Sequence, residues 1–499
     1  MRLFFLIALF ALTLFSSTLH LSISANPSRI NPILATDSAS AEIAGWIFNS
    51  LVKYDKNGKI VGDLAKSYRF LDDKTLIFDL RKDVYWQDGK PFSAEDVVFT
   101  YNLITSPKVF TPYSSDFRYV KDVEAIGKYR VKVTYKRAYF KALEIWMVGI
   151  LPKHILKNEK DLMTSSFNQH PIGTGPYKLK KFSISSDIEL VANSNYFEHK
   201  PKIDRIVYHF VPDSSTQFLM LKSKKLDVGS LSPLQYERQI SKSFKKHYKI
   251  IEQISHGYTY LGFNLKRDKF KDKRVREAIN LAIDKKMLTQ ILFFSHARVC
   301  TGPFMPGTFA YNEKIKPSKV DLKRAKELLK EAGFTKNHPL TFEIATNSNN
   351  SIRMYAAEII QYQLSKIGVK VKIKAMEWQA FLNTVVIPRN FDTILLGWSL
   401  GLTPDAYPLW HSKSDKIGGF NLVGYHNKEV DALIEKAEKT VDRKKLSKIY
   451  KKIFATIAND LPYIFLYIPN SITAVNKNIK PIESSIIGIF HNEIDWIKP

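Results

Sequence analysis

Thr75-Leu76-Ile77-Phe78-Asp79-Leu80-Arg81-Lys82-Asp83-Val84-Tyr85-Trp86-Gln87-Asp88-Gly89-Lys90-Pro91-Phe92-Ser93-Ala94-Glu95-Asp96-Val97 holds a strand, a turn and a helix start. Leu76, Phe78 and Leu80 alternate with Ile77, Asp79 and Arg81, the period of two that belongs to a strand. Ser93 followed by Ala94-Glu95-Asp96-Val97-Val98 has the order of an N-cap, an acidic first turn and an apolar face, because a hydroxyl satisfies free amide hydrogens there. A helix towards Ile104 is expected. Asp88-Gly89-Lys90-Pro91 has the Gly-Lys pair of a phosphate loop, but no Ser or Thr follows and position 84 is Val84 where that loop needs glycine.

Outward from this stretch the chain mixes strands and helices, an α/β class with antiparallel additions. Val131, Val133 and Tyr135 alternate with Lys132 and Thr134. Val275, Ala278, Ile279, Ala282 and Ile283 recur at helical spacing behind Asp272, a helix cap. Leu322, Ala325, Leu328, Leu329 and Ala332 repeat the pattern before Gly333, where the left-handed conformation ends helices. Strand Leu340 to Ala345, a helix around Ala356 to Ile367, and the alternating Val369-Lys370-Val371-Lys372-Ile373 follow, which predicts a second α/β lobe. Tyr258 to Asn264 and Tyr463 to Pro469 are apolar, aromatic and strand-like. If both carry chain between lobes, the middle of the chain forms one lobe, the two ends form the other, and the paired crossings make a hinge. Two ordinary core strands are the alternative.

At 499 residues, with 45% apolar and 25% charged residues, the chain is long enough for two or three lobes that each bury a core. Met1, Arg2 and the apolar run Leu3 to Phe15, closed by Ser16, Ser17 and Thr18, read as an export signal, since a membrane-spanning helix needs roughly 20 apolar residues. Leu19, Leu21 and Ile23 alternate with His20, Ser22 and Ser24, so the cut is placed near Ser17 and this strand is kept. Cys300 is the only cysteine, which excludes an internal disulfide and leaves no Cys after the signal for a lipid anchor; a Gram-negative periplasm suits that usage.

The formal net charge of +27 would suit nucleic acid, anionic membranes or acidic ligands. The lysines are spread along the whole chain, however, with no zinc-finger spacing or aromatic RNA-binding signature, so a solvated basic surface is the reading and nucleic acid is not a partner. Gly173-Thr174-Gly175-Pro176-Tyr177-Lys178 lacks the third glycine of a dinucleotide loop and reads as a turn. The 12 histidines are scattered, with no His-Glu-x-x-His, and there is no Gly-x-Ser-x-Gly elbow. No catalytic residue, metal site or cofactor is assigned, and the chain is not read as an enzyme.

From Asn26 to Ile104 the segments resemble the opening of the family 5 extracellular solute-binding proteins, which include dipeptide-, oligopeptide- and nickel-binding proteins. The resemblance is carried by Pro27 to Pro32, Ala35 to Ser40, Ile47 to Val52, Asp63 to Tyr68 and, nearly residue for residue, Thr75 to Val97. Ile172 to Tyr177, Asp272 to Asp284, Gly302 to Pro306, Ala325 to Phe334 and Gly397-Trp398 follow in order. The resemblance implies a two-lobed type II periplasmic binding-protein fold with an extra subdomain inserted in the first lobe. It places lobe I at 18–50, 168–262 and 466–499, the inserted subdomain at 51–167, lobe II at 263–465 and the signal at 1–17.

The function it implies is the periplasmic substrate-binding component of an ABC importer. Such a protein is a monomer, not a lipoprotein, that hands a small peptide to an inner-membrane permease with its ATPase subunits. A nickel chelate, haem or another non-peptide solute is the alternative; a secreted hydrolase or an envelope chaperone are rivals from other classes. In peptide-binding relatives an aspartate at the third position after the Gly-Trp pair holds the peptide amine; here that position is Gly401, and the next acidic residue is Asp405. Trp398, Tyr407 and Trp410 supply apolar faces with polar edges, Pro404 and Pro408 are expected to hold the backbone extended, and Asp405 would pair with an amine. Asp37, Ser38 and Ser40, in a loop that faces the cleft in relatives, complete the candidate ligand set, although a plain turn explains them equally.

Overall fold

The computed structural model describes residues 17–499, so the signal read at 1–17 lies outside the described residues apart from Ser17. The alternation that follows it forms the strand Thr18–Ile23, with Leu19, Leu21 and Ile23 buried. This strand pairs parallel with Arg205–Phe210, and Ile188–Ala192 and Tyr177–Lys181 extend the sheet antiparallel.

Thr75–Leu80 lies between Ala65–Asp72 and Arg130–Tyr135 in a second, antiparallel sheet completed by Val120–Ala125. The helix Ala94–Thr105 starts as the sequence predicts, with the Ser93 amide donating to the Asp96 carboxylate at 2.9 Å. The Gly173-to-Lys178 segment is a turn with a steric reason for its glycines. A Cβ on Gly173 would stand 1.9 Å from the Ile47 carbonyl oxygen, and the Gly175 amide donates to that same oxygen at 2.8 Å.

The middle of the chain builds the third sheet. Thr341–Asn347, the helix Ser351–Ser365 and Lys370–Met376 make a parallel strand-helix-strand unit, and Thr393–Ser399 pairs parallel on the other side of Thr341–Asn347. Next comes Gly257–Phe263, every residue of it buried: Tyr258 and Tyr260 enter the core on one face, Leu261 and Phe263 the core on the other. Burial on both faces is why this strand shows no polar alternation in the sequence.

Beside it runs the 14-residue strand Tyr463–Asn476. Its first half pairs with Gly257–Phe263, and its second half pairs with Tyr248–Ile254 and Val228–Ser230. Both aromatic runs are therefore core strands. Tyr463–Asn476 changes partner around Pro469, from Gly257–Phe263 to Tyr248–Ile254, and the positions read as crossings lie within these paired strands. At the change, the Ser255 hydroxyl donates to the Pro469 carbonyl at 2.6 Å.

His296 brackets the same point. Its Nδ1 lies 2.8 Å from Glu252 and its Nε2 2.8 Å from Glu237, while Tyr236 meets the ring edge-on. Two ring nitrogens can both donate to carboxylates only in the imidazolium form. Burial alone would lower its pKa, but the bonds to Glu237 and Glu252 overcome this and raise it. Protonation favoured in the fold contributes stability that is whole below the unfolded pKa of about 6.5 and is lost as pH rises through the raised value. In thermal unfolding, the advantage of the native chain over His296→Gln is expected at about pH 5.5, at most about 1 kcal/mol for so accessible a cluster, and is expected to vanish towards pH 9. An advantage that grew with pH would show a neutral ring.

Candidate ligand-binding cleft

The parallel strands Thr341–Asn347 and Thr393–Ser399 end side by side, and the helix Ser351–Ser365 begins just beyond them. Open α/β sheets place ligands at such carboxyl ends. Gly397 and Trp398 stand at the end of the second strand. The indole of Trp398 is half-buried, lies over Tyr260, meets Phe420 edge-on, and donates from Nε1 to the Tyr463 hydroxyl at 3.3 Å. Gly397 has a steric role, since a Cβ there would stand 3.0 Å from Nη2 of Arg353.

Arg353 is the functional candidate that sequence reasoning missed. Its guanidinium donates from Nη1 to Asn347 at 2.8 Å, its Nε has no partner, and among the described residues no carboxylate pairs with it. Burial pulls its pKa down from the usual arginine value, with only the Tyr467 and Tyr260 hydroxyls opposing. A buried cation without an anion is costly in a protein interior, so an anionic group from outside the chain would be held strongly there. The one sequence signal was a charged residue in the first turn of a helix, which an exposed arginine would show equally.

The segment after Trp398 leaves the third sheet and meets the inserted region. Leu402 packs on Gly58, and Thr403 lies beside Tyr54 and Glu144. Asp405 accepts from Lys141 Nζ at 2.7 Å and from the Tyr407 amide at 3.0 Å. Burial alone would raise the Asp405 pKa, but Lys141 and Arg118 overcome this and lower it. Tyr407 is buried, with the Arg118 guanidinium 3.4 Å from its ring centroid. Arg118 also pairs with Glu438, which Arg137 reaches at 3.0 Å and to which the Tyr119 hydroxyl donates.

Other sequence expectations are corrected in detail. Pro408 lies in the first turn of the short helix Tyr407–Trp410, so it presets a helical φ where an extended backbone was expected. Trp410 is core, packed on Tyr425, Tyr463 and Phe465. Asp37 caps the helix Ser38–Ile47, accepting from the Ser40 amide at 3.0 Å, the Ser40 hydroxyl at 2.7 Å and the Ser28 hydroxyl at 2.6 Å. Ser40 is buried in that network and Ser38 is exposed. The structure thus joins Asp405 to Tyr407 and places Trp398 beside Arg353, while Asp37 and Ser40 serve their own helix start.

The family model of bacterial extracellular solute-binding proteins, family 5, matches residues 59–420. The oligopeptide-binding protein AppA of Bacillus subtilis (strain 168) is 34% identical over 474 residues, covering 91% of this chain and 86% of AppA. The structure of that AppA with a nonapeptide superposes with a TM-score of 0.91 at 32% identity, over 97% of this chain and 99% of that one. NikZ from Campylobacter jejuni in complex with Ni(L-His) superposes with a TM-score of 0.87 at 32% identity, over 97% and 100%.

If Arg353 is held against its own desolvation, replacing it by an apolar residue of similar length should not weaken the fold. Arg353→Met is expected to unfold at the temperature of the native chain or above it in the absence of added solute. A loss of several degrees would make Arg353 a structural residue.

Proposed function

Because the chain belongs to the bacterial extracellular solute-binding proteins of family 5, with their two-lobed fold and their role as binding proteins of ABC importers, we propose that it captures peptides between its lobes. The observation that carries this reading is Arg353, a buried guanidinium without a carboxylate, set beside the half-buried Trp398. Arg353 receives a ligand carboxylate. Trp398, with Tyr260 and Phe420 around it, supplies an apolar wall that tolerates varied side chains. Tyr407 and Asp405 hold the inserted region against lobe II from the other side, and Asp37, Ser38 and Ser40 set the start of the helix that faces it.

The lobes exchange chain near 254–257 and 468–470, with 51–167 as the insertion, and they close about that point. Closing converts the binding energy of one small solute into a single shape for the permease and its ATPase subunits to recognise. The chain acts as a monomer in the periplasm, after removal of its signal near Ser17 and without a lipid anchor. Among the described residues, no helix is long and apolar enough to cross a membrane.

A second reading, a receptor for a nickel chelate, is favoured by Gly401 at the expected aspartate position and by the likeness to NikZ with Ni(L-His). The two are separated by thermal unfolding of the refolded chain against di-, tri- and longer peptides and against nickel–L-histidine. A ligand at about one hundred times its dissociation constant adds roughly 2.7 kcal/mol, a rise of a few degrees. The expected result is a rise with one length class of peptide, lost in Trp398→Ala and Arg353→Met. A rise with nickel–L-histidine alone would replace the peptide reading.

A further inference from the structure

A receptor that selects peptides by their free amine needs a carboxylate for the ammonium, and here Asp37, Glu438 and Asp405 are already engaged by the protein's own donors. Asp37 is taken by Ser28 and Ser40, and Glu438 by Arg118, Arg137 and Tyr119. Position 401 is a glycine with open space around it. Asp405, the next acidic residue, meets an ammonium that the protein itself supplies. Lys141 Nζ lies 2.7 Å from Asp405 and 3.7 Å from Asp116, and both partners of the first pair are nearly buried, with side chains 12% and 10% exposed. Burial alone would drive Lys141 towards the neutral amine, but Asp116 and Asp405 outweigh it and hold the ammonium well above the usual range.

We propose that Lys141 is a specificity-determining residue: by giving Asp405 an internal ammonium, it makes the cleft a receptor for solutes with a free carboxylate and a masked amine. This rests on the carboxylate-binding reading of Arg353. A free ligand ammonium brought to Asp405 would lose water and meet Lys141 there in place of a free carboxylate, whereas an amide nitrogen or a metal-bound amine carries no such charge. Acylated peptides and amino-acid chelates of nickel share this chemistry. They are two sources of one recognition pattern.

The test compares alanyl-phenylalanyl-alanine, its N-acetyl derivative and nickel–L-histidine by calorimetry on the refolded full chain. The acetylated peptide should bind at least as tightly as the free-amine form, within about threefold. In Lys141→Met, or in Lys141→Met with Asp116→Asn should the single change leave too much buried negative charge to fold, the ratio should move about tenfold towards the free amine. A native preference above about tenfold for the free amine, or an unchanged ratio in the variants, would overturn the proposal. Binding of nickel–L-histidine alone would sink the peptide reading and support the masked-amine rule.

A ligand-free readout keeps the two readings separate. In a brief acetic anhydride pulse read by mass spectrometry, Lys141 should be modified far more slowly than the exposed Lys413, and Asp405→Asn should remove that protection. Modification of Lys141 as fast as Lys413 would overturn the proposal even if no solute binds.

Discussion

Backbone pairing along Tyr463–Asn476 is the constraint on which the rest of the structure depends. One strand supplies hydrogen bonds to two sheets in succession, so the middle of the chain and its flanks are joined by a ladder. A ladder of this kind resists sliding and stretching but bends easily where its partner changes. Pro469 stands there with no amide hydrogen to donate, while its carbonyl accepts from the Ser255 hydroxyl. Bending there would leave the cores on either side intact.

Charge pairing across the molecule is economical. With 75 Lys and Arg against 48 Asp and Glu, acidic groups are the scarce partner, and single carboxylates hold several cations. Glu438 serves Arg118 and Arg137; Asp415 serves Lys266, Arg389 and His426. Sharing makes each acid a point of failure, since loss of one partner of a buried pair costs more than the pair contributes. Arg353 stands outside this sharing, since among the described residues no carboxylate pairs with it.

Much of the architecture was legible in the residues because its elements obey local rules. Ser93, Asp272 and Asp321 stand at helix starts, Gly333 and Gly368 take positive φ after helices, and Thr18–Ile23 keeps its alternation. The partner change along Tyr463–Asn476 was not legible to the residue, because pairing is set by strands far away in the sequence. The cleft was legible only in part. Trp398 stood out by its neighbour Gly397, whereas the roles of Asp405, Lys141 and Glu438 depend on partners hundreds of residues away. The proline-rich look of the segment after Trp398 misled, since proline suits the first turn of a helix as well as an extended run.

The single thiol has a practical corollary. Cys300 is buried, donates to the Gly302 carbonyl at 3.3 Å, and has its pKa pushed up to about 12, first by burial. Thiolate is the reactive species, so at neutral pH the native chain offers almost none of it to maleimides or other electrophiles. The molecule therefore has a chemically silent background. One cysteine introduced on each rim would carry a pair of spin labels or fluorophores without removing any native residue. The distance between the rims thus becomes directly measurable in solution.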